Sequence, residues 1–214
     1  RPALRVAIHC PYFVEQWGPY TADTRGIGGS EEAVIYLSEA LAERGVQVDV
    51  YAPIPQELLP VHVHKSVRWR PLGGFRPDIP CDHVIGLRTP WQSHFRKARN
   101  GSGKLWTWHH DHAYPNGWSA EGAASSHHLY VSQWQRWALE SQAESATRGA
   151  VIYNGVPRAQ IEKARDILLS ESRDPFRCLW ASMPTRRLDR LLAIWPEIKE
   201  RWPKASLDIY YGVH

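Results

Sequence analysis

The chain has 214 residues, 43% of them hydrophobic, and a formal net charge of +4. This apolar content supports a folded core and excludes a disordered chain. No apolar run reaches the roughly 18–20 residues that span a bilayer. The modest positive charge fits anionic small ligands or a weak membrane-surface association. The absence of a long Lys/Arg block argues against a nucleic-acid-binding protein.

The cysteines bear on the compartment. Cys10, Cys81 and Cys178 lie far apart, in or beside apolar segments. An odd number of cysteines without a CxxC pair indicates reduced, buried thiols. We therefore expect a cytoplasmic protein, with any membrane association peripheral and at the inner face.

The first predicted elements are a strand over Leu4–Cys10, a glycine loop, a helix and a second strand that runs to Tyr51. Apolar residues at i, i+3 and i+4 spacing favour the helix, and Gly45 ends it. A βαβ unit of this kind starts a parallel sheet with ligand sites at its strand ends. Gly28 and Gly29 would let a phosphate approach the helix N-terminus, where free N–H groups favour an anion. The alternative is that both glycines only form a tight turn.

Two familiar phosphate-binding motifs do not fit. The dinucleotide motif G-x-G-x-x-G needs glycine where Glu31 stands, and Asp49 lies inside the second strand rather than at its end. The GSGK segment at 101–104 is followed by Leu105 instead of the Ser/Thr of a P-loop, and it leads into a strand instead of out of one. We interpret this segment as a solvated turn.

Strand and helix patterns alternate along the rest of the sequence. Strands are predicted within 61–69 and over Asp82–Leu87, Lys104–His109, Leu129–Ser132 and Ala150–Tyr153. Helices are predicted over Trp91–Arg99 and Gln133–Ala146, and Ser132 would cap the second of them. A strand–helix–strand unit is predicted over Phe176–Ala181, Leu188–Arg201 and Ser206–Tyr211. The order predicts an α/β fold: a Rossmann-like parallel sheet with helices on both faces, followed by an incomplete second α/β unit. The expected boundaries are a first domain at 1–157, a linker at 158–174 and the beginning of a second domain at 175–214.

Five segments resemble, in order, those of the family-four retaining glycosyltransferases, enzymes with two facing Rossmann-like domains (the GT-B type). They are GIGGSEEAVIYLSEALAERGVQVDVYA, WTWHHDH, LYVSQWQRWAL, VIYNGVP and LWASMPTRRLDRLLAIWPEIKERWPKASLDIYYG. The match covers nearly the whole chain, and five motifs in the family's order are a specific signal. The resemblance implies transfer of a hexosyl group from a UDP- or GDP-linked sugar to a glycan, lipid or small-molecule acceptor, with the first domain on the acceptor side and the second binding the donor nucleotide.

The resemblance also implies roles for individual residues. Gly28 and Gly29 would face the diphosphate of the sugar donor, and Arg186 in the second domain would contact the same group. His110 would lie near the transferred sugar, with Asp111 beside it. A guanidinium binds phosphate through two parallel hydrogen bonds and stays charged, so it stabilises the charge that builds on the leaving diphosphate. We expect no metal ion and no cofactor besides the nucleotide-sugar substrate.

The histidines at 109–112 leave two points open. His109 is the alternative to His110 for the contact with the transferred sugar. Because His110 and His112 would share one face of a strand, they could also ligate a metal ion. No H-E-x-x-H or paired CxxC motif accompanies them, so substrate binding is the stronger interpretation.

Aromatic and basic residues support less specific expectations. The eleven tryptophans could stack on sugars, although core or interface packing is their commoner use. The basic segment Trp91–Arg99 could meet an anionic acceptor or lipid headgroups, although a solvated helix face is the commoner outcome.

The chain departs from the family in two places. Arg187 stands where the family usually has glycine, which puts the geometry of that turn in question. The family's Glu-x7-Glu donor segment has no counterpart after Tyr211, and Glu31 and Glu39 have this spacing but lie on the first helix. The chain is therefore expected to be a fragment or a degenerate member, and to transfer little or no sugar alone. The alternative function is a non-catalytic α/β module that binds a sugar or a nucleotide.

Overall fold

The computed structural model describes residues 3–11, 15–24, 26–76, 78–89, 103–112, 118, 124, 126–144, 147–170, 172–182 and 184–210. The chain divides into two compact units, Arg1–Gly155 and Val156–His214. The helix predicted over Trp91–Arg99 lies outside the described residues. The linker at 158–174 and the roles of the two domains stay predictions.

In the described part of the first unit, eight strands form one sheet. They are β1 (Arg5–His9), β2 (Gln47–Ala52), β3 (His62–His64), β4 (Val67–Pro71), β5 (His83–Leu87), β6 (Lys104–His109), β7 (His127–Tyr130) and β8 (Gly149–Val151). Their order across the sheet is β3-β4-β2-β1-β5-β6-β7-β8. Neighbouring strands are parallel except β3 and β4. The predicted Rossmann-like parallel sheet is confirmed, with one antiparallel strand at its edge.

At that edge the structure differs from the prediction, because the segment at 61–69 contains a β-hairpin rather than one strand. The hairpin turn consists of Lys65 and Ser66, whose φ angles are 46° and 64°. Two successive residues in the left-handed region form the tight turn that fits antiparallel strands. Neither residue is the Gly or Asn that usually indicates such a turn, so the sequence pattern predicts a single strand.

Helix α2 (Gly29–Glu43) covers one face of the sheet; it follows a single turn of helix, α1 (Thr21–Thr24). Val34 and Ile35 of α2 are buried in one core with Ile8 of β1. Two 3-10 helices, Gln56–Leu58 and Leu72–Gly74, lie in the connections that flank the hairpin.

Helix α3 (Gln133–Ala143) packs on the opposite face. Leu129 of β7 belongs to the α2 side, where it packs against the first core. Successive residues of a strand point to opposite faces. Tyr130 therefore points to the other side, where it packs with Leu139 and Ala143 of α3. The prediction of helices on both faces is confirmed.

Local signals set the start of α3 and the end of α2 where the sequence predicts them, whereas α3 ends at Ala143 rather than the predicted Ala146. The Oγ of Ser132 accepts a hydrogen bond from the backbone N–H of Gln135 over 3.0 Å, which caps α3. Gly45 follows α2 with a φ of 81°, the left-handed conformation that glycine adopts after a helix.

The second unit contains a helix and one strand–helix–strand repeat. Its elements are α4 (Arg158–Ser170), β9 (Arg177–Trp180), α5 (Leu188–Arg201) and β10 (Ser206–Ile209). β9 and β10 pair in parallel, which matches the predicted strand–helix–strand unit. Within the described residues of both units, no helix has the length and apolar character needed to cross a membrane.

Candidate active site at the carboxyl edge of the sheet

The strand order places a topological switch point between β1 and β5. From β1 the sheet grows through β2 and β4 on one side, and β5 to β8 lie on the other side. Open α/β sheets bind ligands at such a point, beyond the carboxyl ends of the strands. Cys10 follows β1 at this edge, Arg88 follows β5, and His110 and Asp111 follow β6. Two residues predicted for the site, His110 and Asp111, therefore lie at the expected edge.

The two glycines before α2 have different surroundings. Gly28 is the N-cap residue, with φ −67° and ψ 149°, angles open to any residue. A Cβ at Gly28 would clash with the carboxylate of Glu31, which folds back over the start of the helix. A Cβ at Gly29 would meet no atom within 4 Å in the described part of the chain. Packing of Glu31 therefore accounts for Gly28, whereas Gly29 leaves open space beside the first N–H groups of the helix, which have no intrahelical acceptor.

His110 connects the end of β6 to the start of α2. Its Nδ1 forms a hydrogen bond of 3.1 Å with the Oγ of Ser30. Its ring meets the ring of Trp108 edge-on, with the centroids 4.7 Å apart. Its Nε2 is buried and has no hydrogen-bond partner among the described residues. A buried ring nitrogen without a partner is rare in folded proteins, so His110 is a candidate for a functional role.

The charge of His110 follows from its surroundings. Burial lowers the pKa of His110 to about 4; the positive charge of Arg88 contributes, and Asp111 opposes the change. The imidazole is therefore neutral near pH 7, so one ring nitrogen donates and the other accepts.

Arg88 and Asp111 form an ion pair beside His110. The Nε of Arg88 donates to Oδ2 of Asp111 over 2.6 Å, and both side chains are about one third exposed. The backbone of Arg88 has a φ of 55° and donates its N–H to the carbonyl of Trp108 over 2.9 Å. A left-handed arginine is strained, and such strain concentrates at functional sites. The side chain of Gln135 donates to the backbone carbonyl of Asp111 over 3.0 Å and holds this turn against α3.

The Glu31 carboxyl and the Cys10 thiol, both near α2, have raised pKa values. Burial raises the pKa of Glu31; Glu15 adds to this effect, and a backbone hydrogen bond and the charge of Arg88 oppose it. Burial and then the charge of Glu31 raise the pKa of the Cys10 thiol well above its usual value. Cys10 therefore stays protonated and is a poor nucleophile.

His109, the alternative sugar contact, points to the opposite face from His110. Its ring is fully buried and stacks on Tyr130, with centroids 4.9 Å apart and planes 9° apart. Its Nε2 lies 3.0 Å from Nδ1 of His128. Burial, with smaller contributions from His128 and His110, lowers the pKa of His109 well below its usual value. No group of three His, Cys, Asp or Glu side chains within the described residues is arranged to hold a metal ion.

Arg186, the predicted diphosphate ligand of the second domain, lies in an exposed turn at 184–187, just before α5. Arg187, which stands where the family that the sequence resembles usually has glycine, has a φ of 74° and serves as the N-cap of α5. The backbone thus keeps a conformation that favours glycine although the residue is an arginine.

Sequence reasoning missed Ser30, Glu31 and Arg88 as members of this site. Arg88 carried a usable signal, since it is the first charged residue after a buried strand at the carboxyl edge. Ser30 and Glu31 carried none beyond their place in the glycine loop, because their partners are set by the tertiary fold.

No protein-family model matches the chain, and no curated protein matches it. Among solved structures, the chain is similar to the crystal structure of AviGT4, a glycosyltransferase involved in avilamycin A biosynthesis. The TM-score is 0.58 at 17% sequence identity, over 98% of this chain and 64% of AviGT4. This similarity shows that the chain has the Rossmann-like α/β fold seen in that glycosyltransferase. The chain spans less than two thirds of the length of that enzyme.

Proposed function

We propose that the chain is the acceptor-side part of a family-four retaining glycosyltransferase that takes a hexosyl group from a UDP- or GDP-linked sugar. The observation that carries the proposal is His110. Its buried Nε2 has no partner among the described residues, and its Nδ1 is bonded to the first turn of the helix that follows the glycine loop. One residue thus links the carboxyl end of β6, the strand next to β5 at the switch point, with an anion-favouring helix start.

In the proposed reaction, the donor's diphosphate lies beside Gly29, where the helix N–H groups and the open space favour a phosphate. Arg88 is the nearby cation of the first unit, and Arg186 is the candidate cation of the second. Fixed positive groups at a leaving diphosphate stabilise the charge that develops there, and they act without a metal ion in this scheme.

His110 would orient the transferred sugar. Being neutral, it can accept a hydrogen bond from a sugar hydroxyl or donate one, without adding charge beside the reacting carbon. The Asp111 carboxylate, held by Arg88, would bind a neighbouring hydroxyl of the sugar or the acceptor.

The carboxylate of Glu31 favours the second candidate, a module that binds a sugar without transferring it. Glu31 already covers the helix start at Gly28, which is one of the two positions predicted for the diphosphate. In this reading, the helix needs no phosphate ligand.

Titration of the purified chain with UDP-glucose and GDP-mannose distinguishes the two candidates. We expect the chain to bind at least one donor. Gly29→Val should lower the affinity for that donor tenfold or more, and Gly73→Val should change it little. Gly73 is the matched control, because a Cβ there also meets nothing within 4 Å among the described residues. Equal affinities for the parent chain and Gly29→Val, or no donor binding at all, would refute the donor site.

A further inference from the structure

Helix α3 exposes two tryptophans to solvent. Trp134 and Trp137 are 60% and 65% exposed. They stand three positions apart on the helix and therefore lie on one side, one turn from each other. A tryptophan buries more apolar surface than other side chains when it is covered, so two exposed ones on one helix face indicate a surface that binds something.

The pair lies next to the candidate active site. The residue after Trp134 is Gln135, whose side chain holds the backbone of Asp111. The ring of His112 lies 6.1 Å from the ring of Trp134, centroid to centroid. The tryptophans therefore continue the surface that begins at Asp111, along α3 and away from the carboxyl edge.

The polar side chains around the two tryptophans indicate what kind of ligand the surface binds. Arg136 and Glu140, on the flank of the helix beside the tryptophans, form an ion pair of 3.1 Å and so add little net charge there. An anionic membrane surface would favour an excess of Lys or Arg. Every leucine and alanine of α3 is buried or half-buried, which leaves tryptophan, amide and hydroxyl groups at the surface.

Helix α4 provides a contrast within the same chain. It exposes an aliphatic surface, consisting of Ile161, Ile167, Leu168 and Leu169. Aliphatic surfaces of this kind are typical of protein packing. Planar rings beside amides and hydroxyls instead suit a sugar, which presents C–H faces for the rings and hydroxyls for the polar groups.

We propose that Trp134 and Trp137 form the acceptor subsite of the enzyme, and that the acceptor is a neutral carbohydrate chain of at least two pyranose units. One ring would stack on each tryptophan, with the chain's reactive end toward Asp111. This inference rests on the proposed function in assigning the carbohydrate the role of acceptor. Binding of a carbohydrate to the two tryptophans is testable separately.

The experiment titrates the 214-residue chain with cellohexaose, maltohexaose and chitohexaose. We expect at least one of them to bind, and Trp134→Ala and Trp137→Ala each to weaken binding tenfold or more. Trp202→Ala is the matched control, since Trp202 is also exposed but lies in the second unit. All three variants should keep the parent melting temperature, because each removes an exposed side chain.

Two results would overturn the inference: binding of none of the three oligosaccharides, or equal binding by the parent and both α3 variants. Flotation with phosphatidylglycerol vesicles is the parallel arm. Vesicle binding that requires the tryptophans, without oligosaccharide binding, would assign the surface to lipid and also overturn it. Donor titration separates the two proposals. Donor binding without oligosaccharide binding refutes only the acceptor subsite, and the reverse result refutes only the donor site.

Discussion

The Oγ of Ser30 lies 3.1 Å from Nδ1 of His110, and this hydrogen bond joins positions 80 residues apart in the chain. It couples the first turn of α2 to the end of β6. Any ligand that binds at the helix start therefore lies near a histidine whose other nitrogen is buried and has no partner among the described residues.

Alanine substitutions at the two adjacent histidines should separate ligand binding from stability. His110→Ala should abolish binding of a donor sugar with a small change in melting temperature. His109→Ala should reduce the free energy of unfolding by about 3 kcal/mol, as truncation of a buried aromatic ring does, because His109 packs against both Tyr130 and His128. Denaturant unfolding and donor titration of both variants measure the two effects. Reversed effects would mean that His109 faces the ligand.

The two glycines should also respond differently. Gly28→Ala displaces the carboxylate of Glu31 and places alanine at the N-cap, where glycine is much preferred, so it should cost about 1 kcal/mol of stability. Gly29→Ala should leave stability unchanged or slightly higher, because alanine favours a helix and meets no neighbour among the described residues. Urea unfolding of both variants tests this. A larger loss in Gly29→Ala than in Gly28→Ala would contradict the assigned roles.

Stability should fall as the pH is lowered from about 6.5 to 4. Burial lowers the pKa values of His9 and His110 to about 4, and that of His109 well below its usual value. Below pH 6.5 the unfolded chain binds protons that the folded chain does not, so each such histidine costs about 1.4 kcal/mol per pH unit over this window.

Urea midpoints at pH 7, 6 and 5 measure this slope. His9→Phe should flatten it, since phenylalanine preserves the stacking on Phe75, whose ring centroid lies 4.1 Å away. A slope equal in the parent and in His9→Phe would argue against a neutral His9 in the folded state.

Glu31 should affect stability in the opposite direction, since its contribution falls as the pH rises. Burial raises the pKa of Glu31, so the folded state binds its proton more tightly than the unfolded state does. Ionisation as the pH rises above about 4.5 therefore weakens the fold. We expect Glu31→Gln to melt at a higher temperature than the parent at pH 7, and at the same temperature near pH 4. Glu32→Gln, one residue along the same helical turn, is the control; an identical shift in this variant would mean that only helix charge matters.

The central βαβ unit was predictable because its signals are local. Apolar strands, the periodic face of α2 and the glycine that ends it each follow from neighbouring residues, and so does the cap at Ser132. The hairpin at Lys65 and Ser66 was missed because its left-handed turn uses residues that rarely adopt those angles.

The candidate site was only partly predictable for a different reason. His110 and Asp111, which the family resemblance implied, follow β6 at the carboxyl edge, where ligands bind in such sheets. The pairing of Asp111 with Arg88 and the folding of Glu31 over Gly28 depend on how β5, β6 and α2 meet. Such contacts are set by tertiary packing, which no spacing in the sequence records.

The most direct test of the central claim locates the donor on the protein. In ¹⁵N–¹H spectra of the chain, UDP-glucose or GDP-mannose should shift the backbone amides of Gly29 and Ser30, because the phosphate would lie against these N–H groups. The same titration should shift the His110 ring and leave Gly73 unmoved. Donor-induced shifts that leave Gly29, Ser30 and His110 unmoved would contradict a donor site at this edge of the sheet.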